Sequence, residues 1–347
     1  MRLTKFLSST LFSLLAALSA TSIPATAHPT TTVSDAADSA PIPFIIWHGL
    51  GDNYANDWLL ELGDLIQALH PGSFVYNIRL DEDPSSDRTA TFLGNLTTQL
   101  ASVCADLATH PILSAAPAVN ALGFSQGGQF LRGYVERCNA PPVRRLVTFG
   151  AQHNGIAEFE RCGDGDWICK GAMGLLHWNT WSGFVQGRVV PAQYYRETNN
   201  ETGLGSDAYL ENSNWLADVN NERAEKNETY KANLASLEKF VMYVFENDTT
   251  VIPKESGWFA EVNTDTGNVT ALRDRKMYKE DWLGLRELDE KDGLAFRTVP
   301  GGHMHLNDTI LKKSLLEDFG VKRSSSYESA EPERDSDIQN VLGDWEL

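Results

Sequence analysis

A serine set between glycines, a late aspartate and a still later histidine occur in this chain in the order that nucleophilic acyl transfer demands. Gly123-Phe124-Ser125-Gln126-Gly127 has the G-x-S-x-G pattern. It follows an apolar run and opens a helical stretch, the strand-turn-helix elbow that lifts a hydroxyl to the edge of a sheet. The flanking glycines suit such an elbow because side chains would crowd its strained turn. A plain turn with an incidental serine is the competing reading, and the context argues against it. A serine hydroxyl is a poor nucleophile until a base takes its proton, and the base in turn needs an acid to hold its tautomer. His303 follows Gly301 and Gly302 directly after the last strand-like run, where a short loop returns an imidazole to the elbow. His305 has nearly the same spacing, and the glycine lead-in favours His303. Asp248 sits in Asn247-Asp248-Thr249, on the turn after a late apolar run, and is the expected acid. Turn capping is the competing role for an aspartate there. Asp218, Asp265 and Asp274 are read as solvated, and His48, His153 and His177, which precede the acid, as structural or pocket residues. A tetrahedral intermediate also needs two backbone N–H donors. Gln126, next to the serine, supplies one, and Leu50 in His48-Gly49-Leu50-Gly51-Asp52 the other. No metal or organic cofactor enters this chemistry.

These groups need a scaffold, and the pattern provides one. Phe44-Ile45-Ile46-Trp47 is a buried-strand run. Helical periodicity follows over 57–69, strand character over 74–78 and a long helix over 89–107. Strands over 118–122 and 146–149 flank a helix over 126–137. Such alternation predicts a mostly parallel, doubly wound sheet. The alternation stops after residue 149 and resumes with strands over 240–245 and 294–299 and a helix over 307–319. The elbow within this order predicts an α/β-hydrolase fold over 42–320, with an inserted, largely helical cap over about 151–235.

The 347 residues carry 29 Lys+Arg against 47 Asp+Glu, a net charge of −18 that argues against nucleic acid as a partner. A 42% apolar and 22% charged make-up excludes disorder for most of the chain. Residues 1–27 read as a signal peptide: Arg2 and Lys5, a short apolar run, then Ala25-Thr26-Ala27. Residues 28–41 read as a flexible lead-in and 321–347 as a disordered acidic tail. No stretch suits a transmembrane segment. An exported chain with Cys104, Cys138, Cys162 and Cys169 is expected to form disulfides. Three pairings are possible, and the short Gly-Asp-Gly-containing segment favours a local Cys162–Cys169 loop, leaving Cys104 with Cys138. Sequons at Asn95, Asn200, Asn227, Asn247, Asn268 and Asn307 predict a glycoprotein.

Ile46-Trp47-His48-Gly49-Leu50-Gly51-Asp52, Gly123 through Leu131 of the elbow, and Gly150-Ala151-Gln152-His153 resemble the palmitoyl-protein thioesterases. So do Leu216-Ala217-Asp218-Val219-Asn220, Phe240-Val241-Met242, Asn247-Asp248, Gly257-Trp258-Phe259 and Leu283-Gly284-Leu285. The resemblance covers about 42–319. It implies a nucleophile at Ser125, an acid at Asp248, a base at His303 and the two disulfides above. It also implies cleavage of palmitoyl thioesters from S-acylated proteins, in a lysosome or vacuole, with the medium as the alternative destination. An oxygen-ester lipase or esterase and a catalytically silent acyl-binding protein are the competing functions. Leu50 stands where the family often has Met, a tolerable change because only a backbone N–H is needed there, and Gly302 stands where an acidic residue commonly precedes the histidine. The acidic tail has no counterpart in the family. Trp178, Trp181, Phe184 and Val185 are spaced for one helical face. Core packing is their ordinary role, and the resemblance implies acyl binding instead.

Overall fold

The computed structural model describes residues 41–158 and 179–320, together with 165, 167, 170, 171 and 174. The expected leader, the lead-in up to residue 40 and the tail lie outside these residues, as do Cys162, Cys169, His177 and Trp178. Six strands form the central sheet: β1 (Phe44–Trp47), β2 (Val75–Asn77), β3 (Val119–Phe124), β4 (Val143–Phe149), β7 (Lys239–Phe245) and β10 (Leu294–Val299). Their order is β10-β7-β4-β3-β1-β2, and every pairing is parallel. Two short antiparallel hairpins lie outside the sheet, β5 (Thr198–Asn199) with β6 (Leu204–Gly205) and β8 (Glu261–Val262) with β9 (Val269–Thr270).

Strand alternation explains the layers, because successive side chains leave a strand on opposite faces. Ile45 and Trp47 of β1, with Phe240 and Met242 of β7, join one apolar cluster with Phe130, Leu131 and Trp215. Phe44, Ile46, Val241 and Phe245 join another with Leu59, Leu62, Ile66, Leu315 and Phe319. One face is therefore covered by helix α4 (Gln126–Arg137) and by α3 (Leu96–Thr109), and the other by α1 (Asp57–Leu69) and the last helix, Asp308–Phe319. Strands buried on both faces read as continuous apolar runs, which is why they were visible.

One expected helix is divided. The helix expected over 89–107 is α2 (Pro84–Phe92) followed by α3, with Leu93 extended and Gly94 at φ 149° between them. Asp83 caps α2 by accepting the Ser86 N–H at 2.8 Å, and Asn95 caps α3 by accepting the Thr98 N–H at 3.1 Å. Two caps and a glycine outweigh the apolar periodicity that runs through the break. The Cys104–Cys138 disulfide, with Cα atoms 6.0 Å apart, ties α3 to the end of α4. The described part of the insertion is a series of short helices, Gly183–Gln186, Val190–Gln193, Asp207–Asn212, Leu216–Val219 and Glu228–Ala235, plus the β5–β6 hairpin, where no strand was expected. Among the described residues no helix is long and apolar enough to cross a membrane.

Candidate active site

β3 ends at Phe124, α4 begins at Gln126, and Ser125 makes the turn between them at φ 50° and ψ −123°. A non-glycine residue at positive φ is strained and persists only where its surroundings hold it. Here the Ser125 N–H donates to the Phe149 carbonyl at 2.7 Å. A Cβ on Gly123 would strike the Gly128 backbone, and one on Gly127 the Trp47 carbonyl, so the elbow admits only glycine at both.

The loops after β7 and β10 bring the two partners to this hydroxyl. His303 Nε2 lies 2.9 Å from Ser125 Oγ, and His303 Nδ1 lies 2.7 Å from Asp248 Oδ2. The other Asp248 oxygen accepts the N–H groups of Thr250 and Val251, both at 2.9 Å, which fixes the carboxylate on its turn. The Phe245 ring meets His303 edge-on at 5.8 Å. Gly150 leaves the imidazole its space, since a Cβ there would come 2.9 Å from His303 Cε1. His305 is exposed and packs beside Gly301. Asp218 pairs with Arg137 and accepts from the Tyr230 hydroxyl at 3.0 Å, away from this line.

The expected oxyanion donors lie beside the serine. A Cβ on Gly49 would sit 3.2 Å from Ser125 Cβ, so the turn after β1 touches the elbow. Among the described residues, the Leu50 and Gln126 amides meet no protein acceptor. The preceding His48 is buried, and its Nε2 lies 3.0 Å from Asp87 Oδ2 on α2. Asp87 also accepts the Tyr54 N–H at 2.9 Å and the Leu80 N–H at 2.7 Å. Burial alone would raise the Asp87 carboxyl, but hydrogen bonds from His48, Leu80 and Tyr54 outweigh it and hold it below the ordinary range. His153 is wholly buried, with Nε2 3.0 Å from Thr148 Oγ1 and its ring stacked on Phe259 at 5.0 Å. Burial, then the nearby Arg132 charge, holds it well below the usual imidazole range, as suits a structural histidine.

The expected apolar stripe does not form among the described residues. Trp181 precedes the four-residue helix Gly183–Gln186 and packs against Tyr195 and Tyr209 at 5.5 and 6.0 Å. Phe184 is 48% exposed under Arg188, whereas Val185 is fully buried. So short a helix carries no i, i+3, i+4 face through all three. The sequons lie at accessible positions. Asn227, Asn247, Asn268 and Asn307 are exposed, while Asn95 and Asn200 are half-buried. Asn95, Asn227 and Asn307 cap helices through Oδ1, which leaves Nδ2 outside the capping bond.

Local motif reading missed Asp87, Thr91 and Tyr194, which surround the oxyanion turn and the Gln126 side chain. No motif marked them, since Asp87 falls before the helix expected over 89–107 and its burial is visible only in the structure.

A parallel sheet with a serine elbow after β3, an acid turn after β7 and a histidine loop after β10 defines an α/β-hydrolase. Residues 43–303 match the family described as palmitoyl protein thioesterase. The chain is 33% identical over 282 residues to palmitoyl-protein thioesterase 1 of Caenorhabditis elegans, covering 80% of this chain and 91% of that protein. It is 34% identical over 311 residues to a palmitoyl-protein thioesterase-dolichyl pyrophosphate phosphatase fusion of Schizosaccharomyces pombe, covering 88% of this chain and 48% of the fusion. A lysosomal thioesterase of Xenopus laevis is 25% identical over 272 residues, 75% of this chain and 85% of that protein. The chain belongs to the palmitoyl-protein thioesterase family and is a thioester hydrolase.

Proposed function

We propose that this chain removes long-chain fatty acyl groups, palmitoyl above all, from S-acylated protein cysteines, and does so through Ser125, His303 and Asp248. The observation that carries the reading is the unbroken hydrogen-bonded line from the Asp248 carboxylate through His303 to Ser125 Oγ. Ser125 Oγ attacks the thioester carbonyl while His303 Nε2 takes its proton. The carbonyl oxygen becomes an oxyanion, which accepts from the Leu50 and Gln126 amides. Collapse breaks the C–S bond, and the imidazolium returns its proton to the departing cysteine sulfur. Water, deprotonated by His303, then attacks the acyl-enzyme and releases the fatty acid and free Ser125. Asp248 holds the imidazole in the required tautomer throughout and stays ionised.

A palmitoyl chain offers about 14 methylenes at ~0.8 kcal/mol each, so apolar burial dominates substrate binding. The lysosome or vacuole is the proposed destination, supported by the lysosomal relative. The test is hydrolysis of a palmitoylated cysteine peptide beside the matched serine oxygen ester. Preference for the thioester by kcat/KM supports the reading. A preference for the oxygen ester would make the protein an esterase, and binding without turnover an acyl carrier.

A further inference from the structure

The Gln126 side chain occupies a crossing that the chemistry above does not use. Its Oε1 accepts from the Tyr194 hydroxyl at 3.1 Å, and Tyr194 belongs to the inserted segment. Its Nε2 donates to the Thr91 carbonyl at 3.3 Å, in the last turn of α2. Thr91 Oγ1 accepts the Gly51 N–H at 2.8 Å and donates to the Arg88 carbonyl at 2.7 Å. Gly51 is the neighbour of Leu50, at φ 80°, and a Cβ there would come 3.3 Å from the Phe92 ring. Thr91 thus links the two sides, its carbonyl taking the Gln126 and Tyr194 side and its hydroxyl holding Gly51, and the three side chains are all buried.

Just beyond Thr91 the insertion also grips the break between α2 and α3. The Gly94 N–H donates to the Arg188 carbonyl at 2.8 Å, and Gln193 receives the Leu96 N–H at 2.9 Å while giving its own Nε2 to the Gly94 carbonyl at 2.8 Å. We propose that Thr91 and Tyr194 are positioning residues that hold the Leu50 and Gln126 amides in register, so that seating of the insertion sets the geometry of the oxyanion hole. This rests on the catalytic reading above. The physical reason is that donors must stand 2.7–3.1 Å from where the oxyanion forms, and a turn loosened on one side loses that distance.

The experiment uses the full chain and a palmitoyl-thioester substrate, with Ser125→Ala first. A Ser125→Ala protein that stays active removes the catalytic reading and this proposal together. With that variant dead, Thr91→Val keeps the side-chain volume but deletes the acceptor, and Thr91→Ser restores it. Thr91→Val is expected to lose about tenfold in kcat with KM within about twofold, as for an interaction made in the transition state. Its affinity for a long-chain trifluoromethyl ketone, which forms a tetrahedral adduct on the serine, should fall in step with kcat/KM. Thr91→Ser should stay near wild type. Tyr194→Phe should give a similar loss, and the double variant should be little worse than the worse single one, because the residues act as one unit. Unchanged kcat, a loss confined to KM, failure of Thr91→Ser to recover, or fully multiplicative losses would each overturn the proposal. Should Thr91→Val fail to fold, Tyr194→Phe carries the same kinetic and inhibitor test.

Discussion

At the residue scale the candidate site reduces to one proton path and its neighbours. Ser125→Ala removes the nucleophile without touching a core contact, so it is expected to fold and be secreted normally. Its turnover should fall on the order of 10⁶-fold, since triad members act as a unit. A pure preparation with near wild-type turnover would end the mechanism. His303→Ala should be as damaging, whereas His305→Ala should be mild, because the exposed His305 ring takes no part in the line to Ser125. Asp248→Asn keeps the shape but offers an N–H where the imidazole needs an acceptor, and turnover should collapse while secretion persists. Asp218→Asn should leave turnover alone, since Asp218 serves Arg137 and Tyr230. Steady-state kinetics on matched preparations decides all of these.

At the element scale, short pieces of structure carry the site and its supports. The Cys104–Cys138 bridge closes a segment of sequence separation 34 and joins two helices on the face below the elbow. By chain entropy it should contribute about 3 to 4 kcal/mol. Replacing both cysteines by serine should lower the urea midpoint accordingly, while residual folded protein should keep its kcat. Within the insertion, Val185→Ala should cost about 1 to 3 kcal/mol of stability through lost packing, because the side chain is fully buried. Phe184→Ala should leave the melting temperature unchanged. If Phe184 meets the acyl chain, this substitution weakens palmitoyl thioesters more than short-chain ones, and equal losses across chain lengths would assign it to the surface. These elements also show the reach of periodicity. The inner strands β1, β3, β4 and β7 were legible because burial leaves few polar residues to interrupt them, and the half-buried edge strands and α4 were placed by the alternation around them. The break at Leu93-Gly94-Asn95 was obscured because apolar spacing continues through it on either side.

At the scale of the whole molecule, two buried groups make stability depend on pH in opposite senses. Burial pushes the Glu136 carboxyl up to about 7, even with Arg132 2.8 Å away and Arg137 nearby. The folded chain then holds that proton more tightly than the unfolded one, so this contribution is full below about 4.3 and lost as pH rises through about 7. His153 is depressed, so its contribution is full above about 6.5 and lost as pH falls below that. Below about pH 6.5 the two oppose each other, which flattens the pH dependence of wild-type stability. Glu136→Gln removes one arm, and stability should then climb with pH by up to ~1.4 kcal/mol per unit over that window. Urea unfolding of both proteins at several pH values measures this. Equal slopes in the two proteins would mean that Glu136 is ionised in the folded state.

What the amino-acid order determined by itself was local and periodic: the buried strands, the elbow motif, and the order serine, aspartate, histidine. Each follows from spacing along the chain or from the demands of one reaction. What the tertiary structure decided was which groups meet across long separations. Ser125 and His303 are 178 positions apart, and although the glycine lead-in favours His303 over His305, only the packed loops bring its Nε2 to 2.9 Å from Oγ. Nothing local tells that Asp87 will clamp His48, that Thr91 and Tyr194 will converge on Gln126, or that Phe184 and Val185 will part, one exposed and the other buried. Those outcomes depend on how α2 and the insertion pack over the end of the sheet. Packing is a property of all the contacts at once, and no single stretch of sequence records it.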